Sequence, residues 1–415
     1  MKRLLFFVLV ALVGSVQAQQ TRVLFLGNSY TAFNSLPSLT RLLALSLGDT
    51  MVVSSSMPGG YTFNDHTTNA VSMAAIQEGN WDFVVLQEQS QLPSFPPSQV
   101  DVESRPYAQA LVDSIRAYSP CAEPVFYMTW GRQNGDAANC ASWPPVCTYE
   151  GMQDRLRQTY LSYAEENQAW CAPVGAAWAQ VREQYPLINL YNADGSHPSV
   201  EGSYLAACTI YSTIYGASSL GASYYVSVDT NTAGILQEIA STLVLDSAAT
   251  WNIGASDPTA IGSAMTNNGL DVQFSNASTN ADSHFWDLGD GSTSTESAFT
   301  HSYAATGPYS VVYTVMDPCG RTDTDTLQVN VVVSAIEENL AGQLSITSNG
   351  SALIVKSNGE AGIFQVFDTS GKLMNSINVL AGGTMTVPLR NSGNYLWKFT
   401  SMNGDCSGGK VASSH

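Results

Sequence analysis

Two short segments, far apart in a chain of 415 residues, carry side chains that could act together as a nucleophile and its base. In VLFLGNSYTAF, Ser29 stands where an apolar run gives way to a turn and a helix-like stretch. A serine there presents its Oγ at the carboxyl edge of a sheet, where backbone N–H groups at the helix start can stabilise an oxyanion. A hydroxyl nucleophile needs a nearby base, and an imidazole base needs a carboxylate that fixes its tautomer and stabilises its cation. NADGSHPSVEGSYLAA supplies both, with Asp194 three residues before His197. Each piece also has an ordinary reading. Asn-Ser at a helix start is a common cap, and Asp194 could cap the helix entered after Pro198, leaving His197 on the surface. The paired reading is the stronger one because a strand-end GNS stands upstream of the DxxH in an α/β chain. His66, in FNDHTTN, is a rival base that ranks below His197 because no spaced carboxylate follows it.

Positioning such residues takes a scaffold, and residues 21–245 supply its pattern. VLFLG, WDFVVLQ and PVFYMTW are short apolar runs that alternate with helix-like stretches such as LPSLTRLLALSLG and MQDRLRQTYLSYAEENQAW. Apolar runs bounded by turn residues predict buried parallel strands joined by crossover helices, a doubly wound, flavodoxin-like α/β domain. After Trp251 helical periodicity ends, and Ser, Thr, Asn, Gly and alternating β-formers take over, predicting all-β structure to the C-terminus.

Composition bounds the setting. MKRLLFFVLVALVGSVQA, residues 1–18, has two cations, an apolar run and small residues at Val16 and Ala18, the pattern of a cleavable signal peptide. No later segment offers a long uncharged apolar stretch, so no transmembrane segment is expected in the mature chain. The net charge of −18 is spread along the chain and excludes nucleic acid as the expected partner. Export permits disulfides among the seven cysteines. Cys140 and Cys147 bracket a short loop suited to a local bridge, Cys121 and Cys171 are candidates for a second, and Cys208 is expected as a buried thiol. No CxxC pair exists, so a cysteine zinc site is not expected.

With these residues in view, the first domain resembles the SGNH/GDSL hydrolases. GNS at Gly27–Ser29 is similar to the family's first block with Asn in place of Asp, and DGSHP at Asp194–Pro198 is similar to its last. The resemblance implies a secreted serine esterase with Ser29, His197 and Asp194 as catalytic residues and no metal or organic cofactor. It also implies an oxyanion hole made from the Ser29 amide, a glycine of MPGGYT (Gly59 or Gly60, with Gly60 preferred) and a side-chain amide. The third block departs from the pattern: where the family has an Asn, this chain reads QEQSQ. Gln87, Gln89 and Gln91 are the available donors, Gln89 first and Gln87 next.

YMTWGRQNGD places Trp130, Arg132, Asn134 and Asp136 at the same sheet edge. There Trp130 could stack on a sugar while Arg132 and Asn134 contact substrate, although core packing for Trp130 and an ion pair for Arg132 are the bland alternatives. The implied substrate is an ester, with O-acetyl groups on polysaccharide first. A lipase or thioesterase, or an inactive surface carbohydrate-binding protein, are the alternatives.

Residues 256–333, with WDLGDGS, HSY and GPYSVVYTV, resemble a PKD-type immunoglobulin-like module. Asp287 and Asp290 there read as turn residues rather than calcium ligands. Residues 338–415, with GIFQVFDTSGKLM and GNYLWKFT, resemble the C-terminal sorting domain of the type IX secretion system. That implies the secretion machinery as a partner and a secreted or cell-surface location.

Overall fold

Four consecutive side chains, Val23 to Leu26, are at most 1% exposed, which requires both faces of their strand to be covered. In the computed structural model, which describes residues 20–266, 269–332, 344–349, 351–389 and 393–413, this strand is the second of a five-stranded parallel sheet. The strands β1 (Thr21–Leu26), β2 (Met51–Ser56), β3 (Phe83–Leu86), β4 (Glu123–Tyr127) and β5 (Trp170–Ala172) run in the order β2-β1-β3-β4-β5. The order reverses between β1 and β3, so the carboxyl end of β1 lies at the switch point where open α/β sheets hold ligands. The anticipated signal peptide and the join at 333–338 lie outside the described residues.

The helices are α1 (Ser29–Ala32), α2 (Leu36–Ser46), α3 (Phe63–Thr68), α4 (Ala70–Glu78), α5 (Pro97–Glu103), α6 (Arg105–Tyr118), α7 (Tyr149–Glu166), α8 (Val174–Gln184), α9 (Val200–Tyr215) and α10 (Thr230–Leu245). Strand alternation sorts them into two layers. Val23 and Phe25 join one core with residues of α2, α8, α9 and α10, whereas Leu24 and Leu26 join the other with residues of α3, α4, α6 and α7. Trp251 is buried in that second core, so the α/β unit runs past the expected limit of 245, to Ser256.

The unit from Asp257 onward is antiparallel β-structure. A three-stranded and a four-stranded sheet close over Trp286, Tyr303 and Tyr313. In their turns Asp287 accepts from the Gly289 amide, and Asp290 accepts from the Ser292 amide while pairing with His301 at 2.7 Å. Further on, two more sheets of three and four strands enclose Phe364, Trp397 and Phe399.

Cys140 and Cys147 form a disulfide, and Cys208 is a buried free thiol. The Cys121–Cys171 pair is not formed: Cys171, in β5, faces the second core as a free thiol, and burial pushes it up to about 12. Among the described residues, no helix is long and apolar enough to cross a membrane.

Candidate active site

The turn after β1 is fixed from three sides. Asn28 caps α1 by accepting from the Tyr30 amide (3.1 Å), while its Nδ2 donates to the carbonyl of Tyr61 (2.9 Å) and its own amide donates to Gln87 Oε1 (3.0 Å). Both ends of the Asn28 side-chain amide are used, so this Asn ties the Ser29 turn to the Gly60-Tyr61 turn. A carboxylate could not donate to Tyr61. Gly27 must lack a side chain, because a Cβ there would stand 2.4 Å from Thr31 Oγ1 and 2.9 Å from Gln87 Oε1.

Ser29 Oγ lies 2.9 Å from His197 Nε2, and His197 Nδ1 lies 2.5 Å from Asp194 Oδ2. The other carboxylate oxygen of Asp194 accepts from the amides of Ser196 and His197, both at 2.9 Å. Burial alone would raise Asp194, but the bonds from the His197 ring and the two amides outweigh it and hold the carboxyl below its ordinary value. The imidazole is stacked on Phe33 (4.3 Å, 19°) and meets the Tyr30 ring at an angle (5.4 Å, 64°). Tyr30 OH and Ser196 Oγ are 2.6 Å apart, and the Trp130 indole donates to the Ser196 carbonyl at 3.0 Å. The loop carrying His197 is therefore held at the residue just before it.

The Ser29 and Gly60 amides meet no acceptor among the described residues. Gly60 has φ +76° as the third residue of the turn closed by the Tyr61 amide on the Pro58 carbonyl, a conformation that favours glycine. This arrangement is competent for acyl transfer: a base on the hydroxyl, a carboxylate on the base and unpaired amides nearby.

Several expectations are corrected here. Gln87 is not a free donor: its Oε1 accepts from the Asn28 amide and from Thr31 Oγ1 (2.8 Å), and its Nε2 donates to the Glu88 carbonyl. It buttresses the nucleophile turn instead. Gln91 spends its amide on Asp136 (2.6 Å). In Gln89, Oε1 accepts from the amides of Gln91 and Leu92, while Nε2 meets no acceptor among the described residues. Trp130 is fully buried and sandwiched between Tyr30 (4.8 Å, 9°) and Trp178 (3.8 Å, 5°), leaving no face for a sugar. Arg132 ion-pairs with Asp136 at 3.2 Å, and Asn134 is exposed. Burial of Asp136 would raise it, yet the donors Asn139, Gln91 and Arg132 hold it below its ordinary value.

His66 is buried beneath the turn. Its Nε2 lies 3.0 Å from the Gly27 carbonyl and so donates, while Nδ1 accepts from Ser72 Oγ at 2.8 Å. Burial lowers its affinity for a second proton. It supports the nucleophile turn and does not compete with His197.

Replacing Gln87 by leucine would leave the Asn28 amide, the Thr31 hydroxyl and the Glu88 carbonyl without their partner. We expect Gln87→Leu to cost about 3 kcal/mol of stability in thermal or denaturant melts, and to lower kcat more than it changes KM.

Comparison with known proteins bears on both halves of the chain. The PKD domain family model matches residues 251–331. The chain is also 45% identical, over 67 residues, to the pre-pro-metalloprotease PrtV of Vibrio cholerae; this is 15% of the chain but only 7% of that protein's length. Over the α/β unit it is similar to a solved DUF4886 family protein from Bacteroides uniformis, with 18% identity, TM-score 0.47, and coverage of 55% of this chain and 95% of that one. It is also similar to a candidate SGNH hydrolase from Slackia heliotrinireducens, with 30% identity, TM-score 0.38, and coverage of 46% and 98% respectively.

Proposed function

We propose that the α/β unit is a serine esterase. The observation that carries this reading is the unbroken hydrogen-bonded chain Asp194–His197–Ser29 at the switch point of the sheet. In this reading His197 Nε2 removes the Ser29 proton as Oγ attacks an ester carbonyl, and Asp194 stabilises the imidazolium. The amides of Ser29 and Gly60, with the Gln89 side chain as third donor, hold the oxyanion. The imidazolium then protonates the leaving alcohol, and water activated by the same ring releases the acid.

We read the substrate as an O-acetylated carbohydrate. What supports this is the cleft of about 710 Å³ beside the His197 loop, where Asn34, Gln133, Asn189, Asn192 and Glu201 share the lining with Phe33, Tyr191, Pro198 and Val200. An open, amide-rich groove suits a polyhydroxyl alcohol, whereas a fatty acyl chain calls for a deep apolar one. The signal-like N-terminus, the Cys140–Cys147 disulfide and the sorting-like C-terminal strands support export to the cell surface through type IX machinery.

Two assays test substrate class: release of acetate from acetylated xylan, and a series of p-nitrophenyl esters of rising chain length. Acetate release, with kcat/KM falling steeply beyond a two- to four-carbon acyl group, is expected. Rates that climb with chain length, and no acetate from the polymer, would assign the site to lipid or thioester substrates.

A further inference from the structure

Between the two strand ends that supply the oxyanion side lies a carboxyl group unused by the chemistry above. Glu88 is fully buried, two residues after the end of β3. Its Oε1 accepts from two amides at once, Phe63 at 2.9 Å and Gln89 at 2.6 Å. Phe63 opens α3, three residues beyond Gly60, and Gln89 carries the side-chain amide left without an acceptor. The other oxygen, Oε2, accepts from Ser104 Oγ at 2.5 Å, and Ser104 in turn accepts from Tyr163 OH at 2.6 Å. One carboxyl oxygen thus bridges the Gly60 loop to the Gln89 loop, and the second anchors the bridge to α6 and α7.

We propose that Glu88 is a positioning residue that fixes the spacing of the Gly60 and Gln89 loops, so that donors from both can meet one oxyanion. This rests on the esterase reading. Donors placed in advance for the transition state act on kcat and not on ground-state binding. Above about pH 7, where Glu88 is ionised, its carboxylate accepts more strongly than the isosteric amide, so Glu88→Gln keeps the shape while weakening the bridge. Facing Glu88 are the phenols of Tyr160 and Tyr163 from α7, Asp65 from α3 and the Ser104 hydroxyl. Arg105 lies over the Tyr163 ring, ion-paired to Asp101 and Glu166. With burial dominant, Glu88 is pushed up to about 7. A folded-state value raised above the unfolded one means that its contribution to stability is full below the ordinary carboxylate range and is lost as pH rises to about 7.

The test is steady-state hydrolysis of p-nitrophenyl acetate at pH 8, where Glu88 is ionised, by the full chain, its Glu88→Gln and Ser29→Ala variants, with melting temperatures from pH 4 to 8. Expected for Glu88→Gln is a kcat lower by roughly 10- to 100-fold at unchanged KM, with a melting temperature that gains on the wild type between pH 4.5 and 7. Glu88→Asp, which keeps the charge but shortens the reach, should retain the pH-dependent melting and still lose kcat. Ser29-dependent turnover with kcat within twofold of wild type in Glu88→Gln would overturn the positioning role alone. Absence of Ser29-dependent turnover in the wild type would overturn the esterase reading and this role with it.

Discussion

Replacing Ser29 with alanine is expected to reduce turnover of p-nitrophenyl acetate by roughly 10⁴-fold or more, to the background rate. Ser29 Oγ is the atom on which His197 Nε2 bears at 2.9 Å, and no other hydroxyl among the described residues takes that place. Tyr30 OH and Ser196 Oγ are bonded to each other, and Ser72 is bonded to His66. Because nucleophile and base act as a unit, His197→Ala should cost a similar factor, and the double variant should be hardly worse than either single one. A double variant whose losses multiplied would mean that the two residues do not serve one step.

The second large effect is expected at Asp194. Asp194→Asn keeps the side-chain shape but removes the charge that stabilises the imidazolium and presents an amide where a tautomer-fixing acceptor is needed. The carboxylate is about half exposed, at 48%, so water can replace part of its effect. We therefore expect a loss of roughly 10²- to 10³-fold in kcat, smaller than for a buried aspartate. Asp194 is held below its ordinary value. Any stability it adds is accordingly present above the ordinary carboxylate range and lost only as pH falls through the lowered folded value. Acid-side loss of activity in the wild type should therefore not arise from Asp194 within the ordinary carboxylate range. Measuring kcat/KM from pH 4 to 9 for wild type and Asp194→Asn checks both points.

The proposed catalytic constellation was legible because its members carry local marks. Ser29 follows a four-residue buried run and opens a helix, and Asp194 reaches His197 within one turn, whose geometry depends on the three residues between them. Residues whose roles depend on distant partners were not legible in this way. Trp130 follows the buried strand β4 as a pocket residue would, but Trp178 of α8 and Tyr30 of α1 close on both its faces, and neither contact has a signature in the sequence. In the same way QEQSQ offers three equivalent amides, and contacts without a mark in the sequence decide that the Gln87 and Gln91 nitrogens are spent on the Glu88 carbonyl and Asp136 while the Gln89 Nε2 meets no acceptor among the described residues.

Glu88 shows the converse. The only mark it carries is that an acidic residue follows directly on FVVLQ, and a carboxylate at a strand end is more often exposed. Its meaning emerges only when the amide of Phe63, twenty-five residues earlier, is seen to point at it. For the cysteines, spacing sufficed for the seven-residue loop of Cys140–Cys147. It failed for Cys121 and Cys171, because β5 turns Cys171 into the core.

The esterase reading stands or falls on Ser29 being a nucleophile activated by its neighbours. The most direct measurement is the intact mass of the full chain after exposure to a fluorophosphonate probe, followed by peptide mapping. A single adduct on Ser29, formed at a rate that drops sharply in His197→Ala and absent in Ser29→Ala, is the predicted result. No adduct on the wild type, or labelling that persists unchanged in Ser29→Ala, would contradict it.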